Sequence, residues 1–336
     1  MDAPSPLVDS FGRVVRDLRI SVTDRCNFRC TYCMPAEGMA WLDRGEVLTY
    51  DELARIARIF VERLGVESIR LTGGEPTVRA HLPQLIAKLG ALRTPAGERP
   101  DLAMTTNGST LRNVATELRD AGLDRVNVSL DTLKADRFVA MTRRDELDHV
   151  LAGIAEAQSA GFDPVKVNAV IERGANDDEI VDLARFGRET GVEVRFIEFM
   201  PLDATNEWQR AKVVTQDEIV SAVNAVFPLE QVPARGHAPA DRWRYLDGKG
   251  TVGVIPSVSH PFCGDCDRVR LTADGQFRTC LFSTEESDIR AVIRSGGSDD
   301  DVEALVRRAV SAKWAGHQIN QVNFVRPKRT MSQIGG

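Results

Sequence analysis

Six cysteines are the residues of this 336-residue chain whose types and spacing point most directly to chemistry, and they fall into two triplets. Cys26, Cys30 and Cys33 are spaced C-x3-C-x2-C on one short segment, and Cys263, Cys266 and Cys280 follow C-x2-C-x13-C. Three thiolates on one loop can converge on one inorganic centre. The first set is one ligand short of a closed tetrahedral zinc site, and no histidine lies nearby to complete it. A fully protein-ligated [4Fe–4S] cubane takes four cysteines, so three leave one iron open to an exogenous ligand. That is the layout of a reactive centre rather than an electron wire. Arg25, Asn27, Arg29 and Thr31 lie between these cysteines and are poor core material, which argues against three small buried hydrophobes. The second triplet admits two readings, a three-ligand cluster or a zinc site completed by His260. Arg268 and Arg270 stand two apart beside it. On a strand they share one face, and paired guanidiniums grip phosphate bidentately.

These residues need a scaffold, and the apolar pattern supplies one. Short β-branched runs at 17–22, 68–72, 102–106, 125–130, 165–171 and 194–199 alternate with amphipathic stretches at 49–64, 81–92, 111–121, 136–160 and 177–190. Thr49 with Glu52 three residues on reads as a capping box. Six strands with five intervening helices predict a parallel α/β sheet, open barrel or flat doubly wound. Polar segments fall at the strand ends: Leu71–Pro76 with Gly73–Gly74, Thr105–Gly108, and Val128–Asp131. In α/β barrels that rim builds the site, although Asn107 and Asp131 read equally well as helix caps. Lys166 sits within a predicted strand on the face of Asn168, where a lysine is rare unless paired or anion-bound. After Pro201 the alternation stops. Residues 229–250, rich in Pro, Gly, His and Arg, read as a loop or boundary. Short strands at 250–255, 269–272 and 276–281 follow, then helices at 286–294 and 300–314.

Composition is that of a globular chain, 43% hydrophobic and 27% charged. A net charge of −6 argues against a dedicated nucleic-acid coat protein. The first twenty residues carry acids and prolines without an apolar core, and no apolar run approaches a bilayer span. The expectation is a soluble, cytoplasmic chain with no nucleic-acid or membrane partner. No phosphate-binding P-loop is present.

C-x3-C-x2-C with Tyr32 directly before the third cysteine closely resembles the radical S-adenosylmethionine enzymes. In them the open iron binds the amino and carboxylate groups of S-adenosylmethionine, whose cleavage provides the radical chemistry while the protein positions it. GGEP at 73–76 resembles the family's turn for the methionine amino group. The resemblance implies cofactor contacts at Tyr32, Gly74, Ser129 and Met200. Adding RDLRISVTDRCNFRCTYCMP, TTNG, VNVSLD, VKVNAVI, VRFIEFM, PFCGDCDRVRLTADGQFRTCLF and a terminal Gly-Gly, nearly the whole chain is similar to the GTP 3′,8-cyclase family. That implies two [4Fe–4S] clusters at the two triplets, S-adenosylmethionine as cofactor, and GTP held between the clusters. The substrate residues implied are Arg19, Arg70, Thr105, Lys166, Arg268, Val269 and Arg270. The tail, Gly335 and Gly336, is expected to insert toward the site and assist the radical chemistry. The reaction implied is removal of the ribose C3′ hydrogen and joining of C3′ to guanine C8. A reducing electron donor and a downstream cyclic pyranopterin monophosphate synthase are the further partners, with the chain a monomer or homodimer. The fold expected is an incomplete (βα)6 barrel at 1–228, with a C-terminal α+β region at 229–336 closing the open side. The alternatives are a peptide maturase with an auxiliary cluster, which usually carries more C-terminal cysteines, and an iron–sulfur sensor, whose saturated clusters would use eight cysteines.

Overall fold

The computed structural model describes residues 6–203, 208–233, 236–322 and 324–335. Six strands, β1 (Asp17–Ser21), β2 (Ser68–Thr72), β3 (Asp101–Thr106), β4 (Arg125–Ser129), β5 (Lys166–Ile171) and β6 (Glu193–Glu198), pair in parallel in chain order. The connecting helices are α1 (Tyr50–Arg58), α2 (Leu82–Gly90), α3 (Leu111–Asp120), α4 (Ala135–Thr142), α5 (Leu147–Ser159) and α6 (Ile180–Thr190). A strand order that never reverses puts every right-handed crossover on the same face. The sheet therefore curls as a partial barrel, and the doubly wound alternative is excluded.

The helix-facing side of the strands carries Leu18, Ile20, Ile69, Leu71, Met104, Val126, Val167 and Phe196, all buried in one continuous core. The opposite face is left to polar residues. Thr49 caps α1 as the spacing predicts, its side chain accepting from the Glu52 amide while Glu52 accepts from the Thr49 amide.

The C-terminal part adds α7 (Gln216–Val226), β7 (Leu229–Gln231), β8 (Asp241–Tyr245), β9 (Thr251–Ile255), β10 (Arg268–Leu271), β11 (Gln276–Arg278), β12 (Ser287–Asp288), α8 (Ile289–Arg294), α9 (Asp299–Ser311) and α10 (Met331–Ile334). Its strands extend both edges of the same sheet, giving the order β12-β11-β10-β1-β2-β3-β4-β5-β6-β9-β8-β7. β10 runs parallel to β1, and β9 parallel to β6. The outermost strands, β12 and β7, do not pair with each other, so the barrel stays open. A second apolar cluster bridges the gap: Val258, which follows β9, and Phe282, which follows β11, meet with Leu202, Val213 and Ile319.

Two expectations are corrected. Residues 229–250 are not simply a loop: they contain β7 and β8, in which buried Trp243 and Tyr245 alternate with exposed Arg242 and Arg244. The stretch 136–160 is not one helix, because Arg143 adopts a left-handed conformation (φ 57°) and ends α4. No helix among the described residues is long and apolar enough to cross a membrane.

Candidate active site

The first cysteine triplet lies on the loop after β1, and the loops after β2, β3 and β4 hold it. The Gly74 amide donates to the Thr23 carbonyl at 2.7 Å, and the Glu75 amide to the Arg25 carbonyl at 2.8 Å. The Asn107 amide nitrogen donates to Asn27 Oδ1 at 2.8 Å and approaches Cys26 Sγ at 3.9 Å. Tyr32 donates its hydroxyl to Asp131 Oδ2 at 2.7 Å, while Asp131 Oδ1 accepts from the Val170 amide. Neither Asn107 nor Asp131 caps a helix; both brace the cysteine loop. Glu75 is fully buried and accepts from Thr106 Oγ1 and the Asn107 amide. Burial pushes the Cys26 thiol up to about 11 and, with Cys26 nearby, Cys33 up to about 12. Burial also raises Asp131, to about 6.

Strand alternation and register line the inner face with Asp17, Arg19, Arg70, Asp101, Arg125, Asn127, Ser129, Lys166, Asn168, Glu193, Arg195, Arg268 and Arg270. Cations outnumber carboxylates here. Arg125 pairs with Asp101 and Arg195 with Glu193. Arg19, Arg70, Lys166 and Arg270 have no carboxylate within ion-pair distance among the described residues. The Nε atoms of Arg19 and Arg70 are buried without a partner. With its amide oriented by hydrogen bonding, Asn127 accepts from Arg70 Nη1 at 2.8 Å. Burial, followed by Arg19, pulls Arg70 down to about 9; burial, followed by Arg195, pulls Lys166 down to about 8. Unpaired buried cations with spare donors are what an oligo-anionic ligand requires.

The second triplet stands at the other mouth. Cys263 and Cys266 precede β10, and because β10 is parallel to β1 they lie beside the strands' N-terminal ends. Cys280 follows β11, which runs antiparallel to β10 and so returns to that mouth. The five residues of β1 span about 17 Å between the two mouths. All six thiols are free, and within each triplet the thiols act on one another electrostatically. Burial pushes the Cys266 thiol up, but Arg268 and Lys313 outweigh it and the net shift is downward. Among the described residues no three His, Cys, Asp or Glu side chains are arranged to hold a single metal ion. His260 is exposed, with its ring at Ser259 Oγ. The donor chemistry, three free thiols per mouth and no fourth cysteine, fits clusters with an open iron.

The tail enters from the first mouth. Gly335 has φ 82°, and a Cβ there would lie 3.0 Å from Thr72 Oγ1 and 3.1 Å from Ser21 Cβ. Its carbonyl accepts from Arg270 Nη1. Ser332 lies beside Cys33 and partly offsets the rise that burial imposes on its thiol. The expected insertion is thus seen for Gly335, while Gly336 lies outside the described residues.

The structure gathers Tyr32, Gly74 and Ser129 around the first mouth, and Arg19, Arg70, Lys166, Arg268 and Arg270 on the inner face. Thr105 is half-buried near the end of β3. Met200 packs beside the apolar cluster that bridges the opening. Val269 differs from the others: its side chain is wholly buried in the core, on the helix-facing side opposite Leu18, so any substrate contact at this position falls to its backbone. Sequence reasoning missed the bracing roles of Glu75, Asn107 and Asp131, and also Arg195. Arg195 alternates with the apolar residues of β6, the one signal that could have found it.

An open barrel with a rim-mounted thiol triplet defines a radical S-adenosylmethionine protein, and the profile of the Radical SAM superfamily matches residues 20–187. The profile described as Molybdenum Cofactor Synthesis C matches residues 192–319. The chain is 52% identical to "GTP 3′,8-cyclase 2" of Mycobacterium tuberculosis, covering 98% of this chain and 92% of that one. It is 53% identical to "GTP 3′,8-cyclase" of a Mycobacterium species, covering 100% and 95%. Among solved structures, Streptococcus suis SuiB bound to S-adenosylmethionine superposes with a TM-score of 0.62 at 13% identity, over 95% of this chain and 77% of that chain. That likeness speaks to fold alone. The chain belongs to the GTP 3′,8-cyclase family, and its cofactors are iron–sulfur clusters and S-adenosylmethionine.

Proposed function

We infer that the chain is a radical S-adenosylmethionine GTP 3′,8-cyclase, the first enzyme of molybdenum cofactor biosynthesis. The observation that carries this reading is the pair of three-thiol sets at opposite mouths of one barrel with uncompensated cations between them. A nucleoside triphosphate supplies several negative charges in one short group, which matches the close spacing of those cations; a peptide does so only where acidic side chains happen to fall there.

Cys26, Cys30 and Cys33 hold one [4Fe–4S] cluster, and Cys263, Cys266 and Cys280 the other. When bound beside a reduced cluster at the first triplet, S-adenosylmethionine would supply the radical chemistry that removal of the ribose C3′ hydrogen of GTP requires. Tyr32, Gly74, Ser129 and Met200 contact the cofactor. The second triplet anchors the purine, and Arg19, Arg70, Lys166, Arg268 and Arg270, with Thr105, grip the substrate. Holding C3′ against C8 is the protein's main contribution, since fixing two reacting atoms in attack geometry replaces a large entropic cost. Arg270 donates one N–H to the Gly335 carbonyl and keeps its other donors for the substrate, so one guanidinium ties tail and substrate together. Gly335 and Gly336 are the tail residues that assist the radical chemistry.

Residues 1–228 serve the cofactor and 229–336 carry the substrate anchor. A cytoplasmic location, a reducing donor, a monomeric or homodimeric state and hand-over to cyclic pyranopterin monophosphate synthase complete the reading. The test is anaerobic incubation with GTP, dithionite and S-adenosylmethionine. An isomer of GTP forming together with 5′-deoxyadenosine supports it. Cofactor cleavage with GTP returned unchanged contradicts it. Arg268→Ala and Arg270→Ala are each expected to weaken GTP binding at least tenfold, the scale of losing one charge-assisted contact of about 1.5–3 kcal/mol.

A further inference from the structure

Two buried cations stand behind the second cysteine triplet, and they are satisfied differently. Arg13 donates to the carbonyls of Cys263, Ala315 and Trp314, and its charge is met by buried Asp9 at 2.6 Å. Lys313, just past α9, is only 3% exposed. An ammonium has three protons to place. Two go to the carbonyls of Cys266 and Arg268, at 3.1 and 2.9 Å. The third faces Cys266 Sγ at 3.9 Å. Among the described residues no carboxylate lies within ion-pair distance of Lys313.

Carbonyls satisfy the hydrogen bonds of a buried ammonium but not its charge, and a buried charge without a counter-ion is costly. The neighbouring cations each have a carboxylate of their own, Arg13 with Asp9 at 2.6 Å and Arg268 with Asp267 at 3.5 Å, which leaves Lys313 as the one of the three without, among the described residues. The group able to redress it is a set of deprotonated thiolates, which ligation to a metal centre demands. We propose that Lys313 is a positioning residue for the second iron–sulfur centre, holding the Cys266 thiolate through an N–H···S contact and, as its nearest uncompensated positive charge, raising the centre's reduction potential. This rests on the two-cluster reading above. A positive charge beside a cluster favours the state carrying the extra electron, and hydrogen bonds to ligating sulfur act in the same direction. The part of the family resemblance drawn from the cysteine segments does not reach this residue, which sits some 33 positions after Cys280.

The experiment uses the full chain with Cys26, Cys30 and Cys33 replaced by Ala, so that a single centre is observed. It is reconstituted without oxygen and titrated electrochemically while paramagnetic resonance reports the reduced cluster. Lys313→Met is expected to lower the reduced-to-oxidised ratio at a fixed potential about tenfold, or about 59 mV for one electron. Lys313→Gln, which keeps a donor without the charge, is expected to fall on the same side, and Lys313→Arg to restore the ratio to within about threefold. If either neutral variant keeps four irons per chain and an unchanged ratio, the role of Lys313 is refuted. If the chain with Lys313 intact takes up no four-iron centre, the two-cluster reading fails instead. Should Lys313→Met not fold, Lys313→Gln decides alone.

Discussion

Gly74 shows how tightly the cysteine loop is seated. A Cβ at this position would lie 2.3 Å from the Arg25 carbonyl oxygen and 2.5 Å from that of Asp24. The nearer distance is about 1 Å inside ordinary contact, and the opposing atoms are backbone, which cannot rotate away. Gly74→Ala must therefore push the 73–76 turn off the loop that carries Cys26. The Gly74-to-Thr23 and Glu75-to-Arg25 hydrogen bonds are the first to stretch. Overpacking of this kind costs about 1–3 kcal/mol. A displacement of about 1 Å at a site that positions reactants lowers the rate about a hundredfold. The expected outcome is a folded protein with a lowered melting temperature, a cluster still present, and 5′-deoxyadenosine release slowed about a hundredfold. The assay is anaerobic cofactor cleavage under dithionite, with thermal melting alongside. Gly45→Ala is the control, since a Cβ there meets nothing within 4 Å. Cleavage by Gly74→Ala within about threefold of the parent chain, with unchanged melting, would refute the steric reasoning.

Removing Gly335 and Gly336 is expected to abolish the cyclised product while iron content stays at the parent level; product formation by the truncated chain would show the tail to be dispensable. Gly335→Ala, which places a Cβ 3.0 Å from Thr72 Oγ1 at φ 82°, is expected to fall between parent and truncation in product yield. Burial holds Lys166 near 8, below the ordinary lysine range. Its protonated form binds an anion, so GTP affinity is expected to be level below pH 8 and to fall by up to about tenfold per unit above it. Lys166→Met should lose that segment of the profile, as binding titrations between pH 7 and 9 would reveal. In the ligand-free fold the same shift has the opposite consequence. The folded chain holds fewer protons than the unfolded one between about 8 and 10.5, so this group's contribution to stability rises with pH there.

The scaffold was legible because its strands obey a simple rule. Leu18, Ile20, Ile69 and Leu71 alternate with Arg19 and Arg70, and that period of two names both the buried face and the cationic one. The same rule placed Lys166 beside Asn168. β8 obeys the same rule, with buried Trp243 and Tyr245 alternating with exposed Arg242 and Arg244, but the Pro, Gly and His residues around it read as a loop. At Val269 the rule holds: the pleat sends the middle residue of Arg-Val-Arg to the core and both arginines to the cationic face. The bracing contacts were out of reach for another reason. Asp131 meets Tyr32 across 99 positions of chain, Glu75 meets Asn107 across 32, and Lys313 meets Cys266 across 47. No local pattern encodes such pairs; only the folded chain brings them together.

On the proposed function, the cofactor at one mouth and GTP at the other meet across this barrel. The most direct test is to supply GTP carrying deuterium at ribose C3′ to the anaerobically reconstituted, reduced enzyme with S-adenosylmethionine, and to weigh the 5′-deoxyadenosine released. One deuterium per molecule is the expected result. Unlabelled 5′-deoxyadenosine formed at the full rate would contradict it.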